Sequence, residues 1–101
     1  MTQTNIKETG DGQFAVEGEL SKFTVPSILR SSNNMIQSAT QNLVIDLQEV
    51  THTDSAGLAL LLEWMTLAKK SELQIHFRNL PAQLWEIAKV SDLEEIIPLA
   101  D

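Results

Sequence analysis

Apolar residues recur along the chain with the spacing of four strands and three helices. Weak alternation over Thr4 to Glu8 and over Gln13 to Glu17 flanks the turn Gly10-Asp11-Gly12 and predicts a β-hairpin with Phe14 and Val16 facing the core. The later predicted elements are a helix over Val25 to Ser38, a strand over Leu43 to Leu47, a helix over 56–70, a strand over Leu73 to Arg78 and a helix that Asn79 and Pro81 start. The order ββαβαβα predicts an α/β fold in which helices pack on a mixed β-sheet.

The most informative stretch is the polar turn between the third strand and the second helix. Its Thr53, Asp54 and Ser55 carry side-chain oxygens that can accept hydrogen bonds from the free N–H groups of a first helical turn, so Asp54 or Ser55 is the predicted N-cap. Gly57 falls within that first turn, where glycine costs roughly 0.5 to 1 kcal/mol relative to alanine. Its presence predicts a close approach by another backbone or by a bound group.

The helix over 56–70 carries more apolar surface than one contact needs. Its apolar residues cover an arc well beyond the stripe of about 100° that suits a helix lying on a single surface. One interpretation places helices on both sides of it, which would bury the whole arc. In a second interpretation one edge docks a partner, with Trp64 as the anchor. The two interpretations are compatible. The other tryptophan, Trp85 in the last helix, is expected in the core.

The residues IDLQEVTHTDSAGLALLL, at 45–62, resemble the signature of STAS domains, the module named for sulfate transporters and anti-sigma factor antagonists. In that family a strand ends in DSxGL and a helix follows. VEGEL at Val16 to Leu20 is similar to the family's strand that ends in GEL, and the segments Leu73 to Phe77 and Pro81 to Leu99 fit its fourth strand, last long helix and tail. The resemblance covers nearly the whole chain and implies one STAS domain over residues 1–101 with a STAS-like mixed sheet.

Within the family, GLALLL, LAKK and LWEIAKVSDLEEIIP look most like the small stand-alone MlaB-type proteins. These are cytoplasmic subunits of an inner-membrane ABC transporter that moves phospholipids to maintain outer-membrane lipid asymmetry. The resemblance therefore implies a non-enzymatic subunit that binds and supports the cytoplasmic ATPase, and through it a membrane permease. The alternative that it implies is an anti-sigma factor antagonist, whose partner is a kinase-type anti-sigma factor and which phosphorylation of Ser55 regulates.

Two positions of the motifs bear on that choice. Ser55 stands where anti-sigma factor antagonists carry their phosphorylated serine, and transporter-type members can have threonine there, so the hydroxyl does not separate the two subtypes. Many relatives have aspartate directly after GEL, whereas Ser21 occupies that position here. Any role of that carboxylate is therefore not carried over to this chain.

A capping hydroxyl at an exposed loop tip is accessible to another protein, which makes this turn the predicted contact surface. The predicted partner-binding residues are Thr53, Asp54, Ser55, Ala56, Gly57, Leu60 and Trp64. A phosphate on Ser55 would meet the free N–H groups of the helix end. It would also face Asp54 and repel an acidic or apolar interface, so such a modification would act as an off switch.

Composition narrows the classes of partner and of compartment. The 101 residues include 14 acidic and 7 basic side chains, and the formal net charge of −7 disfavours direct contact with nucleic acid or anionic lipid. Cysteine is absent, which excludes disulfides and thiolate metal sites. The longest apolar run, Ala56 to Leu62, is too short to span a bilayer, and the N-terminus lacks a signal-peptide pattern. We expect a cytoplasmic protein that reaches the inner membrane only through its partner.

No pattern of residues supports catalysis or a cofactor. His52 and His76 lack a metal-ligand spacing, and neither GxxxxGK[ST] nor GxGxxG occurs in the chain. Ser55, His52 and Asp54 are too close in sequence to adopt the geometry of nucleophile, base and orienting group together. The sequence therefore predicts no catalytic residue, no metal and no cofactor.

Overall fold

The predicted N-terminal hairpin is present in the computed structural model, which describes residues 4–100. Strands β1 (Asn5–Gly10) and β2 (Gln13–Leu20) pair antiparallel, and Phe14 and Val16 are buried as expected. At Gly12 of the turn φ is +75°, and a Cβ there would lie 2.5 Å from the carbonyl oxygen of Asn42. Only glycine therefore suits this turn. The expectations for the N-terminus and for a domain over 1–101 include residues 1–3 and 101, which lie outside the described range.

The remaining elements complete a four-stranded mixed sheet. In chain order they are α1 (Val25–Ser38), β3 (Leu43–Thr53), α2 (Ser55–Lys70), β4 (Ile75–Arg78) and α3 (Ala82–Val90). The strand order across the sheet is β1-β2-β3-β4, with β2, β3 and β4 parallel. Beyond β4 the C-terminal segment adds one parallel bridge, because Phe77 donates its N–H to the carbonyl of Pro98 at 2.9 Å. The predicted order ββαβαβα and the mixed sheet are confirmed.

The three helices form one layer, with α2 in the middle. Both parallel connections step in the same direction across the sheet, so right-handed crossovers place α1 and α2 on the same face. Helix α2 contacts α1 on one side and α3 on the other. The Trp64 ring stacks on Phe77 of β4 with 6.4 Å between centroids, and its Nε1–H donates to Ser32 Oγ of α1 at 2.8 Å. Neighbours on both sides explain the wide apolar arc of this helix.

The core lies between this helix layer and one face of the sheet. Its fully buried large side chains are Trp64, Phe14, Phe77, Leu20, Ile28, Ile36, Leu43, Ile45, Leu47, Leu60, Leu61 and Leu84. The expectation that Trp85 is a core residue is wrong, because this side chain is only half-buried, and Val90 on the same helix is 87% exposed. Helix α3 lies at the edge of the layer, and only Leu84 and Ala88 within it are buried.

Strand β3 is longer than the apolar pattern predicts. It continues past Leu47 to Thr53 because its second half still pairs with β2, although two register shifts interrupt that pairing. Gly18 stands at the second shift with φ of +99°, a conformation that suits glycine at a bulge. Of the predicted polar turn, Thr53 therefore belongs to the strand and Ser55 to the helix, and only Asp54 separates β3 from α2. None of the helices within residues 4–100 has the length and apolar content needed to cross a membrane.

Candidate functional site

The two sequence motifs meet at one edge of the sheet. Leu20 ends β2 and Thr53 ends β3, the two are paired in the parallel ladder, and Asp54 donates its backbone N–H to the Leu20 carbonyl at 3.0 Å. The segments that follow are therefore neighbours, since the carboxyl ends of adjacent parallel strands lie at the same edge. We call the two segments, 21–24 and 54–55, the loop edge.

Asp54 is the N-cap of α2. Its Oδ1 accepts the N–H of Ala56 at 2.8 Å, and its carbonyl accepts the N–H of Gly57 at 3.0 Å. Ser55 is the first residue of the helix, its side chain is exposed, and its hydroxyl forms no hydrogen bond within residues 4–100. The structure thus decides between the two predicted caps and leaves the Ser55 hydroxyl accessible from solvent.

Gly57 is required by close packing, as expected, but the neighbour is a side chain of the same chain. A Cβ at Gly57 would lie 2.1 Å from Thr53 Oγ1 and 3.4 Å from Leu20 Cβ. Thr53 itself is 2% exposed, and its backbone N–H donates to Gln83 Oε1 of α3 at 3.0 Å. Thr53 and Gly57 therefore pack against each other in the interior and support the loop edge. Both are buried, so a partner cannot contact either of them.

The structure corrects the predicted contact set along α2. Leu60 is 1% exposed and Trp64 is 0% exposed, because both point into the layer between α1, α3 and the sheet. A partner cannot touch either side chain while the helix stays packed. The outer face near the start of α2 presents Ser55 and Ala59. Sequence reasoning missed Ala59, although its position four residues after Ser55 places the two on one face of a helix.

In the segment after GEL, sequence reasoning missed Phe23. Ser21 is 5% exposed, and its Oγ accepts the backbone N–H of Phe23 at 3.2 Å. This contact is a serine turn, for which Ser21 itself is the sequence signal. Phe23 itself is 80% exposed. A hydroxyl at position 21 thus holds the turn, and this turn leaves an aromatic ring in solvent on the first of the two segments of the loop edge.

Comparison with known proteins now identifies the fold. A family model described as "Mlab, STAS domain" matches residues 6–99. The chain belongs to the STAS domain family. Its GEL and DSxGL motifs are therefore the two halves of one structural unit, joined by the hydrogen bond from Asp54 to Leu20.

Two functional groups are represented among the similar proteins. The Escherichia coli (strain K12) intermembrane phospholipid transport system binding protein MlaB is 29% identical over 92 residues, which cover 90% of this chain and 91% of that protein. The Staphylococcus aureus (strain NCTC 8325 / PS 47) anti-sigma-B factor antagonist is 23% identical over 96 residues, which cover 92% and 89%. A chain of the Acinetobacter MlaFEDB complex in an ATP-bound conformation has the same fold, with a TM-score of 0.77, 22% identity and coverage of 87% and 93%. This STAS domain is thus MlaB-like and also similar to an antagonist.

The surroundings of the loop edge indicate which chemistry this STAS domain can offer. A cavity of about 620 Å³ lies on the sheet face opposite the helices, where its lining includes Glu17 and Glu49 but no residue of the loop edge. Within residues 4–100, no three His, Asp or Glu side chains come together as a metal site would require. The loop edge consists of a fixed carboxylate, an accessible hydroxyl and an exposed aromatic ring, a combination that suits recognition by another protein.

Proposed function

We propose that this STAS protein is a non-enzymatic subunit that binds and supports the cytoplasmic ATPase of an ABC transporter, and that the transporter moves phospholipids to maintain outer-membrane lipid asymmetry. The chain acts as a single STAS domain over residues 1–101. It reaches the cytoplasmic face of the inner membrane through the ATPase, which in turn contacts the membrane permease. The contact surface is the loop edge, with Asp54 and Ser55 at its centre.

The exposed Ser55 hydroxyl on a firmly capped helix is the observation that carries this proposal. The Asp54 carboxylate accepts the N–H of Ala56 and the Asp54 N–H donates to the Leu20 carbonyl, so Ser55 occupies a defined position before any partner arrives. A preorganised surface loses less conformational entropy on binding. The likeness to E. coli MlaB, whose name describes a phospholipid transport system, supports the choice of partner. The formal net charge of −7 supports a route to the membrane through a protein, because negative net charge disfavours contact with anionic lipid.

The test is to measure binding of Ser55→Asp and Ser55→Ala to the candidate ATPase, together with thermal melts of both variants. Ser55→Asp places a second carboxylate beside Asp54 within the proposed interface, and an uncompensated buried charge costs several kcal/mol of binding free energy. We expect Ser55→Asp to lose the ATPase in pull-downs while it melts like the wild type. Ser55→Ala is the matched control and should retain the ATPase.

Full binding by Ser55→Asp would place the interface elsewhere on the molecule. A wild-type protein that does not bind the ATPase at all would contradict the proposed function itself. A tagged wild-type chain recovered from cells with the ATPase and the permease would support it directly.

The second candidate function is an anti-sigma factor antagonist, which the accessible Ser55 hydroxyl and the S. aureus relative favour. In this role unphosphorylated Ser55 permits capture of a kinase-type anti-sigma factor, and phosphorylation at the helix end releases it. The test is incubation of the protein with that kinase and ATP, followed by mass spectrometry of the peptide that contains Ser55. A phosphate that appears on the wild type but not on Ser55→Ala would support this function over the transport subunit.

A further inference from the structure

Phe23 is exposed in a way that the fold does not require. Its side chain is 80% exposed, although the two preceding core-side residues, Leu20 and Ser21, are 0% and 5% exposed. The ring has the Nζ of Lys22 at 5.2 Å from its centroid. A large aromatic side chain that stays in water gains nothing for folding.

The backbone that carries Phe23 is fixed before any partner binds. Ser21 Oγ accepts the Phe23 N–H at 3.2 Å, and the Ser21 carbonyl accepts the N–H groups of Thr24 and Val25 at 3.0 Å and 2.9 Å. Thr24 Oγ1 also accepts the N–H of Ser21 at 2.9 Å and donates to the Glu19 carbonyl at 2.7 Å. An aromatic side chain on such a braced turn needs little further ordering when it enters a pocket.

The position of Phe23 separates it from Val90, an apolar side chain that is exposed to a similar extent. Phe23 lies in the loop edge, three residues after Leu20, whose carbonyl accepts the backbone N–H of Asp54. Val90 is 87% exposed, but it ends α3, about 10 Å along that helix from Gln83, which contacts Thr53. Single exposed apolar residues are common and need no explanation. Phe23 differs from Val90 because it continues a surface that is already a candidate interface.

We propose that Phe23 is the aromatic anchor of this interface and enters an apolar pocket of the ATPase, while Lys22 faces a carboxylate on the rim of that pocket. The inference rests on the proposed function for the identity of the partner. Lys22 forms no ion pair with another residue in 4–100, so its charge is available to a partner. In protein interfaces a few residues contribute most of the binding free energy, and a buried aromatic side chain is often one of them.

The experiment is a titration of the ATPase with the wild type, Phe23→Ala, Lys22→Glu and the matched control Val90→Ala. Loss of a central aromatic anchor should raise Kd about 30-fold or more for Phe23→Ala. Lys22→Glu sets like charges against each other and should raise Kd about tenfold or more. Val90→Ala removes an equally exposed apolar side chain and should leave Kd within about twofold of the wild type. All four proteins should melt alike, since none of the three side chains is buried.

The outcomes separate this inference from the proposed function. Wild-type affinity in Phe23→Ala or in Lys22→Glu, with binding still lost in Ser55→Asp, overturns the inference and leaves the proposed function standing. Equal losses for Phe23→Ala and Val90→Ala also overturn it, because the position on the loop edge would then have no effect. A wild type that fails to bind the ATPase overturns both, because the ATPase is the occupant that the inference names.

Discussion

At Gly57 the side chain of Thr53 occupies the space that a Cβ would need. Alanine is the better helix former by roughly 0.5 to 1 kcal/mol, so Gly57→Ala would stabilise an unobstructed helix. Here the new Cβ would lie 2.1 Å from Thr53 Oγ1, and threonine has few alternative rotamers. We expect Gly57→Ala to lower the free energy of unfolding by about 1 to 3 kcal/mol in urea denaturation.

The double variant Thr53→Ala/Gly57→Ala is the control for this prediction. Removal of Oγ1 should relieve most of the clash, so the double variant should be more stable than the sum of the two single effects predicts. A stabilised Gly57→Ala single variant would mean that helix propensity outweighs the contact with Thr53.

The N-cap of α2 can be assigned by substitution. Asp54 Oδ1 accepts the Ala56 N–H at 2.8 Å, whereas Ser55 makes no such contact within residues 4–100. Asp54→Ala should therefore cost about 0.5 to 2 kcal/mol of stability, the usual range for a lost N-cap. Ser55→Ala should change stability by less than about 0.5 kcal/mol. Thermal melts of the two variants check the assignment, and a reversed order would show that Ser55 is the true cap.

Helices α1 and α2 are joined by one buried polar contact. Trp64 Nε1 donates to Ser32 Oγ at 2.8 Å, and Ser32 Oγ in turn donates to the Leu29 carbonyl at 3.1 Å. Both side chains are 0% exposed, so Ser32→Ala leaves the indole N–H without a partner and without water. We expect a loss of about 1 to 3 kcal/mol in the free energy of unfolding.

Ser31→Ala is the matched control for this contact, because Ser31 is exposed on the same helix. It should change stability by less than about 0.5 kcal/mol in the same urea titration. Equal melting of Ser31→Ala and Ser32→Ala would show that the hydrogen bond between the helices contributes nothing measurable.

The whole molecule carries an excess of negative charge with little internal compensation. Its formal net charge is −7, and the ion pair between Lys89 and Glu86 is the only one within residues 4–100. Between about 10 mM and 150 mM NaCl the screening length falls from roughly 30 Å to 8 Å. Self-repulsion in the folded state should weaken accordingly, so we expect Tm to rise over this range. A fall in Tm would mean that favourable charge pairs dominate.

One source of that repulsion can be removed by substitution. Glu17 and Glu49 are partners in the β2–β3 ladder and line the same cavity on the open sheet face. Like charges directly opposite each other destabilise a sheet, so Glu17→Gln should raise the free energy of unfolding by about 0.2 to 1 kcal/mol. Glu63→Gln makes the same charge change on the outer part of α2 and should have a smaller effect. If the two variants gain equal stability, the pairing of Glu17 with Glu49 contributes nothing beyond the effect of net charge.

The sequence by itself determined the elements and their order. The hairpin around Gly12, the bounds of α1 at Val25 and Ser38, and a cap at Asp54 or Ser55 follow from turn chemistry, periodicity and capping, which act over a few residues. The GEL and DSxGL motifs indicated the family for the same reason, since each is a local solution to ending a strand. The capped turn at Asp54 and Ser55 was therefore predictable from the sequence.

Only the tertiary structure decided which of these residues a partner can reach. Trp64 is buried and Phe23 is exposed, although both are aromatic residues of the segments that follow the two motifs. Burial depends on which elements flank a side chain. The hydrogen bond from Trp64 to Ser32 and the pairing of Leu20 with Thr53 join residues that are distant in the chain, so local sequence patterns do not indicate them. The extension of β3 to Thr53 has the same origin, because its partner strand, and not its apolar pattern, keeps it paired.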